Sequence, residues 1–122
     1  MLATQIELIL LLTGVATCGA IVMCLAPAFT MKLMFGQAPS NAISLLIARH
    51  WGLLIFLVGA LLVYAASHAE IRRPALIIAG IEKAAFAFSV FLSPLRQYRM
   101  AFVAAVADAS MAALYLITLI EL

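Results

Sequence analysis

Residues 74–94 read PALIIAGIEKAAFAFSVFLSP (Pro74–Pro94). About 20 apolar residues in a helix cross the hydrocarbon core of a bilayer, so this stretch is long enough to span one. Yet it carries Glu82 and Lys83 near its middle. A charged residue there costs about 2.5–3.5 kcal/mol, against about 0.3–0.6 kcal/mol gained per strongly apolar side chain. Two charges leave the helix marginal by itself, so neighbouring helices must supply partners for Glu82 and Lys83. Ionisable residues inside a membrane mark substrate sites, ion pathways and proton relays. The stretch therefore decides both the class of fold and where function is to be sought.

The rest of the chain agrees with a membrane setting. Of 122 residues, 68% are hydrophobic and 10% charged, more apolar surface than a soluble domain of this size can bury. Three further apolar runs accompany the first. The expected spans are 5–26, 42–67, 74–93 and 100–120, in a single transmembrane domain. Pro27 ends or kinks the first span. Residues 28–35, with Lys32 among apolar neighbours, read as an interfacial turn of helix lying at the headgroups. Gly36 to Asn41 is a turn, with Ser40 or Asn41 as N-cap of span two. His68 to Arg73 is the most polar link, and Pro74 opens span three, where its missing N–H costs nothing. All links are short, which predicts an all-α, up-down-up-down four-helix bundle integral to the membrane.

Both termini then share a side with the 68–73 link. The 30–41 and 95–99 links hold Lys32, Arg96 and Arg99 against Arg72 and Arg73 opposite, which puts those two links in the cytoplasm by the positive-inside rule. A bacterial inner membrane is the expected location. The first span has no basic residue before Lys32 and is expected to be retained rather than cleaved.

Several chemistries find no support in the sequence. The net charge of +2 is scattered, so nucleic acid is not an expected partner. Cys18 and Cys24 are six residues apart on one helix, about 240° of rotation, and are expected to pack as small apolar groups. The two histidines, His50 and His68, lie at opposite ends of span two with no metal-ligand spacing, so no metal site is expected. No phosphate loop, nucleophile elbow or dinucleotide fingerprint is present. No cofactor is expected, although a bound lipid or quinone fits an apolar bundle.

What remains is a polar constellation at mid-depth. At a rise of about 1.5 Å per residue, Arg49, Glu82, Lys83 and Asp108 fall in one layer. Arg49 is expected to bridge Glu82 and Asp108, with Lys83 completing a neutral set of four. His50 adjoins it on another helix face. In span three, Ala79, Glu82, Phe86 and Ser89 form one stripe and Gly80, Lys83, Ala84 and Ala87 the next. In span four, Ala101, Ala104, Ala105, Asp108, Ala112 and Ala113 share a small-residue packing face. Trp51, Phe56, Phe86 and Phe88 are candidate linings of a pocket beside the charges. The plainer alternative for each feature is packing: a clamp that fixes helix pairing, a snorkelling Lys83, a solvated His50.

Leu25-Ala-Pro27 closing the first span, Met34-Phe-Gly36 in the link and Arg49-His-Trp-Gly52 opening the second give the chain a resemblance to the DoxX-like group of small four-span bacterial membrane proteins. The resemblance implies the four-span fold, an early arginine in span two at Arg49, acids in later spans at Glu82 and Asp108, and an accessory role beside membrane redox enzymes. It does not extend to the Glu82-Lys83 pair. Three functions are carried forward. The first is a non-enzymatic accessory or assembly subunit, in a homo-oligomer or a larger membrane complex. The second is an intramembrane pocket that binds or converts a quinone, isoprenoid or lipid. The third is proton or small-cation transfer through Glu82 and Asp108.

Overall fold

A computed structural model describes residues 2–38 and 40–122. Pro39, in the expected turn before span two, lies outside the described residues. The chain is all helical. A short 3-10 turn at Leu2–Gln5 leads into α1 (Ile6–Cys18), α2 (Ile21–Leu25), α3 (Pro27–Phe35), α4 (Ala42–Ala66), α5 (Arg72–Phe91) and α6 (Arg99–Glu121). Among the described residues, four stretches are long and apolar enough to cross a membrane: Ile6–Leu25, Ala42–Ala66, Ala69–Phe91 and Arg99–Glu121. They pack as a four-helix bundle.

Local chemistry explains where the helices stop. Asn41 caps α4, its side-chain oxygen accepting the Ser44 N–H at 2.7 Å. Gly36 ends α3 in the left-handed conformation (φ 74°), which glycine adopts without steric cost. Pro27 is the first residue of α3, and Ala26 before it is pulled out of helical geometry (φ −137°, ψ 68°). The first span is not uniform. At Gly19–Ala20 its bonding tightens to i→i−3, through Gly19 N–H to Ala16 O and Ala20 N–H to Thr17 O. The threonines of this helix return their hydroxyls to its own carbonyls, Thr13 to Ile9 and Thr17 to Thr13. Such back-bonding satisfies a hydroxyl in lipid at little cost.

The bundle is two hairpins side by side. In one, α1 and α2 lie against α4; in the other, α5 lies against α6. The first hairpin is closed by backbone contact. A Cβ built on Gly59 would lie 2.6 Å from Cys18 N and 2.8 Å from Gly14 O, and one on Gly52 would lie 2.7 Å from Cys24 N. Only glycine lets two helices approach this closely, and the gain is dispersion contact along the whole crossing.

Two apolar cores fill the bundle. One, near the termini, gathers Ile6, Leu10, Leu62, Leu76, Ala79 and Tyr115. The other, near the 30–41 and 95–99 links, gathers Phe35, Ala87, Val90, Ala101 and Ala105. Between them, on the inner stripe of α5 that runs Leu76, Ala79, Lys83, Ala87, Val90, comes the fully buried Lys83.

The glycine contacts give a paired prediction. Gly59→Ala should destabilise the purified protein by about 1–3 kcal/mol, the usual range for overpacking a filled site. Gly80→Ala should not, because a Cβ there meets only Tyr115 Cβ at 4.0 Å. Alanine instead gains up to about 1 kcal/mol of helix propensity over glycine. Thermal unfolding of the two variants in one detergent tests the contrast.

Candidate functional site

The polar layer is built by the α5–α6 hairpin. Glu82 stands nine residues before the end of α5 and Asp108 nine residues after the start of α6. At about 1.5 Å per residue both lie about 14 Å from the link that joins the two helices. Lys83 is 2% exposed, and its Nζ donates to Asp108 Oδ1 at 3.4 Å. Tyr115, two turns beyond Asp108 on the same face, is also fully buried. Its buried hydroxyl lies beside Thr13. Tyr115 went unnoticed in the sequence, although its spacing of seven residues from Asp108 puts both on one helix face.

Arg49 is not part of this layer, and the expected four-charge cluster is corrected to a single Lys83–Asp108 ion pair. Arg49 does share a face with Gly52 and Gly59, but that face packs on α1 and α2, not on α5 and α6. Its guanidinium is exposed and donates from Nη1 to Cys24 O at 2.9 Å. The physical reason is the helix break before Pro27: Cys24 O sits in the last turn of α2, where no continuing helix supplies an N–H. His50 is exposed beside it. Cys18 and Cys24 are both free thiols. Among the described residues, no three His, Cys, Asp or Glu side chains come together as a metal site requires.

Glu82 takes a different direction from Lys83. The two are neighbours in sequence and therefore about 100° apart around α5. Lys83 points into the core, whereas Glu82 lines an open groove of about 890 Å³ between α4 and α5. The Glu82, Phe86, Ser89 stripe forms one wall, Ala48, Trp51, Ile55 and Val58 the other, and Phe35 of α3 with Tyr98 lines the end nearest the links. The groove follows α4 from Ser44 to Val58, about 21 Å of helix at 1.5 Å per residue. Glu82 Oε1 is buried and accepts no hydrogen bond. A smaller void of about 160 Å³ holds Lys83 and Asp108 against Thr17 and Ala20. Trp51, Ile55 and Phe86 border both spaces and form the wall between them. The Trp51 ring lies 5.7 Å from that of Phe86 and 6.3 Å from that of Phe35.

Of the four aromatic residues expected to line a pocket, Trp51 and Phe86 do so. Phe88 is 63% exposed and turned outward. It is two residues, about 200°, from Phe86, so the two cannot share a face. Phe56 lies on the side of α4 that meets α1, where its carbonyl oxygen is 3.9 Å from Cys18 Sγ. Phe35, Gln37 and Tyr98 line the groove without having been foreseen.

These features define a small multi-pass helical membrane protein with one buried ion pair and one large lateral groove. No family model matches the chain, and no curated protein or solved structure matches it.

The ion pair makes a direct prediction. Lys83→Met leaves Asp108 without its counter-charge and should cost about 3–5 kcal/mol, as breaking a buried pair does. Replacing both, as Lys83→Met with Asp108→Leu, should recover most of that loss, because an apolar pair of similar volume is commonly neutral. Arg49→Ala should lower the melting temperature far less than Lys83→Met, since it removes only the bond to Cys24 O. Melting temperatures of the four proteins in mild detergent check the order.

Proposed function

We propose that this chain is a bacterial inner-membrane protein whose α4–α5 groove holds a lipophilic molecule such as a quinone, an isoprenoid or a lipid. The observation that carries the reading is the groove itself: about 890 Å³, largely apolar, with the Glu82 carboxylate in its lining. Sites for small molecules have volumes of about 300–1,000 Å³ and combine apolar walls with a few converging polar groups. The reading is one of binding and not of conversion, because Glu82 is the only carboxylate among the described lining residues. In this reading the 30–41 and 95–99 links face the cytoplasm, and the mouth beside Gln37 and Tyr98 opens at that surface.

A second reading has its own support. The outer face of the α5–α6 hairpin carries a shallow groove of about 370 Å³ lined by Gly80, Ala84, Ala112 and Ala113 among larger apolar residues. Small residues are what helices use to approach one another in lipid. This favours an accessory or assembly subunit that pairs with a further helix, of its own kind or of a larger complex, and it accords with the DoxX-like pattern. The particle mass in detergent tests it: a strict monomer with no partner retained on purification counts against it.

Trp51 is the only tryptophan of the chain, so its fluorescence reports on the groove. Native mass spectrometry should find a lipophilic molecule retained by the protein. A short-chain quinone should quench Trp51 saturably, and Ala85→Phe, which places a ring in the groove, should weaken that quenching at least about tenfold, equivalent to about 1.4 kcal/mol. No retained molecule together with non-saturable quenching would overturn the groove as a binding site.

A further inference from the structure

The charges around the groove do not balance. α5 contributes Glu82 and Lys83 and α6 contributes Asp108, while Lys83 spends its one contact on Asp108. Arg49 would have balanced the set but faces α2 instead. Among the described residues, Lys83 and Asp108 are the charged groups that act on Glu82. The described lining of α4 and α3 holds no charged group, Tyr115 of α6 is a neutral phenol, and Tyr98 stands at the far mouth. The remaining basic groups among the described residues are committed elsewhere or exposed: Arg72 bonds Ala65 O and Ala66 O at the opposite end of α4, Arg96 bonds Ser93 O, Arg49 bonds Cys24 O, and Lys32, His50, Arg73 and Arg99 lie on the surface. Lys83, next in sequence, is electrostatically close to Glu82 but is paired with Asp108, so two carboxylates share one cation and the set is one positive charge short.

We propose that the groove takes a lipophilic cation, an organic ammonium or phosphonium with apolar arms, whose charge replaces the carboxyl proton of Glu82. The inference rests on the groove being a binding site as proposed above, and names the chemistry that enters it. A carboxylate in a low-dielectric setting must be neutralised, by a proton or by a counter-ion. The two exclude each other at one carboxyl, so binding one cation releases one proton to water and charge is conserved. Trp51 and Phe86 flank the site, and aromatic faces attract a cation within about 6 Å of the ring centroid. A hydrated metal ion is a poor match, since hard cations require about six oxygen ligands and Glu82 is a lone carboxylate on apolar walls. An alkyl- or aryl-substituted cation demands no such shell, and its arms fit the walls.

The test uses the full chain in nanodiscs of zwitterionic lipid, titrated with tetraphenylphosphonium and, separately, with a neutral short-chain quinone. Calorimetry in two buffers of different ionisation heat counts protons released. Tetraphenylphosphonium should bind saturably, release protons, and bind more tightly as pH rises, up to about tenfold per pH unit, the limit for exchange of one proton. Glu82→Gln should lose cation binding at least tenfold together with its pH dependence. Glu82→Asp, which retains the charge, should keep the pH dependence at reduced affinity, and it carries the test if the glutamine variant fails to fold. Saturable quinone binding with no cation binding, or cation binding indifferent to pH and to Glu82→Gln, overturns this inference and leaves the groove reading standing. Failure of both ligands to bind removes the groove reading as well.

Discussion

Among the described residues, Lys83 is the only charge that the bundle takes fully into its core, and its bond to Asp108 sets the terms for everything near it. A buried ammonium without a partner is untenable in lipid, where several kcal/mol attach to each unmatched polar group. The pair therefore dictates that α5 and α6 lie together in one register, with the small residues Ala101 and Ala105 of α6 packed inward beside it. It also divides the interior into two apolar cores and leaves the small void in which the pair sits. Because Lys83 is committed inward, its neighbour Glu82 must emerge on the adjoining face, toward α4.

The arginines answer a different need. Each of three donates to backbone carbonyls at or next to a helix end. Arg49 reaches Cys24 O below the break at Pro27, and Arg72 reaches Ala65 O and Ala66 O at the end of α4. Arg96 reaches Phe91 O at the end of α5 at 3.5 Å, and Ser93 O just beyond it. A cation at a helix C-terminus opposes the negative end of the helix dipole as it donates these bonds. Arg72 also lies 3.6 Å from Glu7, tying the start of the first span to the link between the second and third. In this protein arginine joins segments through backbone carbonyls more than through carboxylates.

The four spans were legible because a run of about 20 apolar residues has few other fates, and because Pro27, Asn41 and Pro74 punctuate the runs. The Glu82, Phe86, Ser89 stripe was legible from helical spacing, and it lines the groove. Partner choice was not legible. Spacing put Arg49 on the same face as Gly52 and Gly59, which is where it lies, but spacing does not say which helix covers that face. The glycines themselves held the hint: a face able to admit another backbone belongs to the closest-packed neighbour, here the first span. With Arg49 removed from the layer, the expected neutral set of four became one pair and an unmatched carboxylate. Phe88 was misjudged for a simpler reason, since two residues along a helix is more than half a turn.

The order of the two acids and the lysine along the chain matters during synthesis. Lys83 is made well before Asp108, so α5 is complete while its partner is still on the ribosome. Until α6 arrives, the only carboxylate beside Lys83 is Glu82, its neighbour in sequence. A helix in that state is marginal in the bilayer and gains its footing only as the second half of the hairpin enters. The last two spans are therefore expected to insert together, and until Asp108 arrives the adjacent Glu82 is the carboxylate that can offset Lys83.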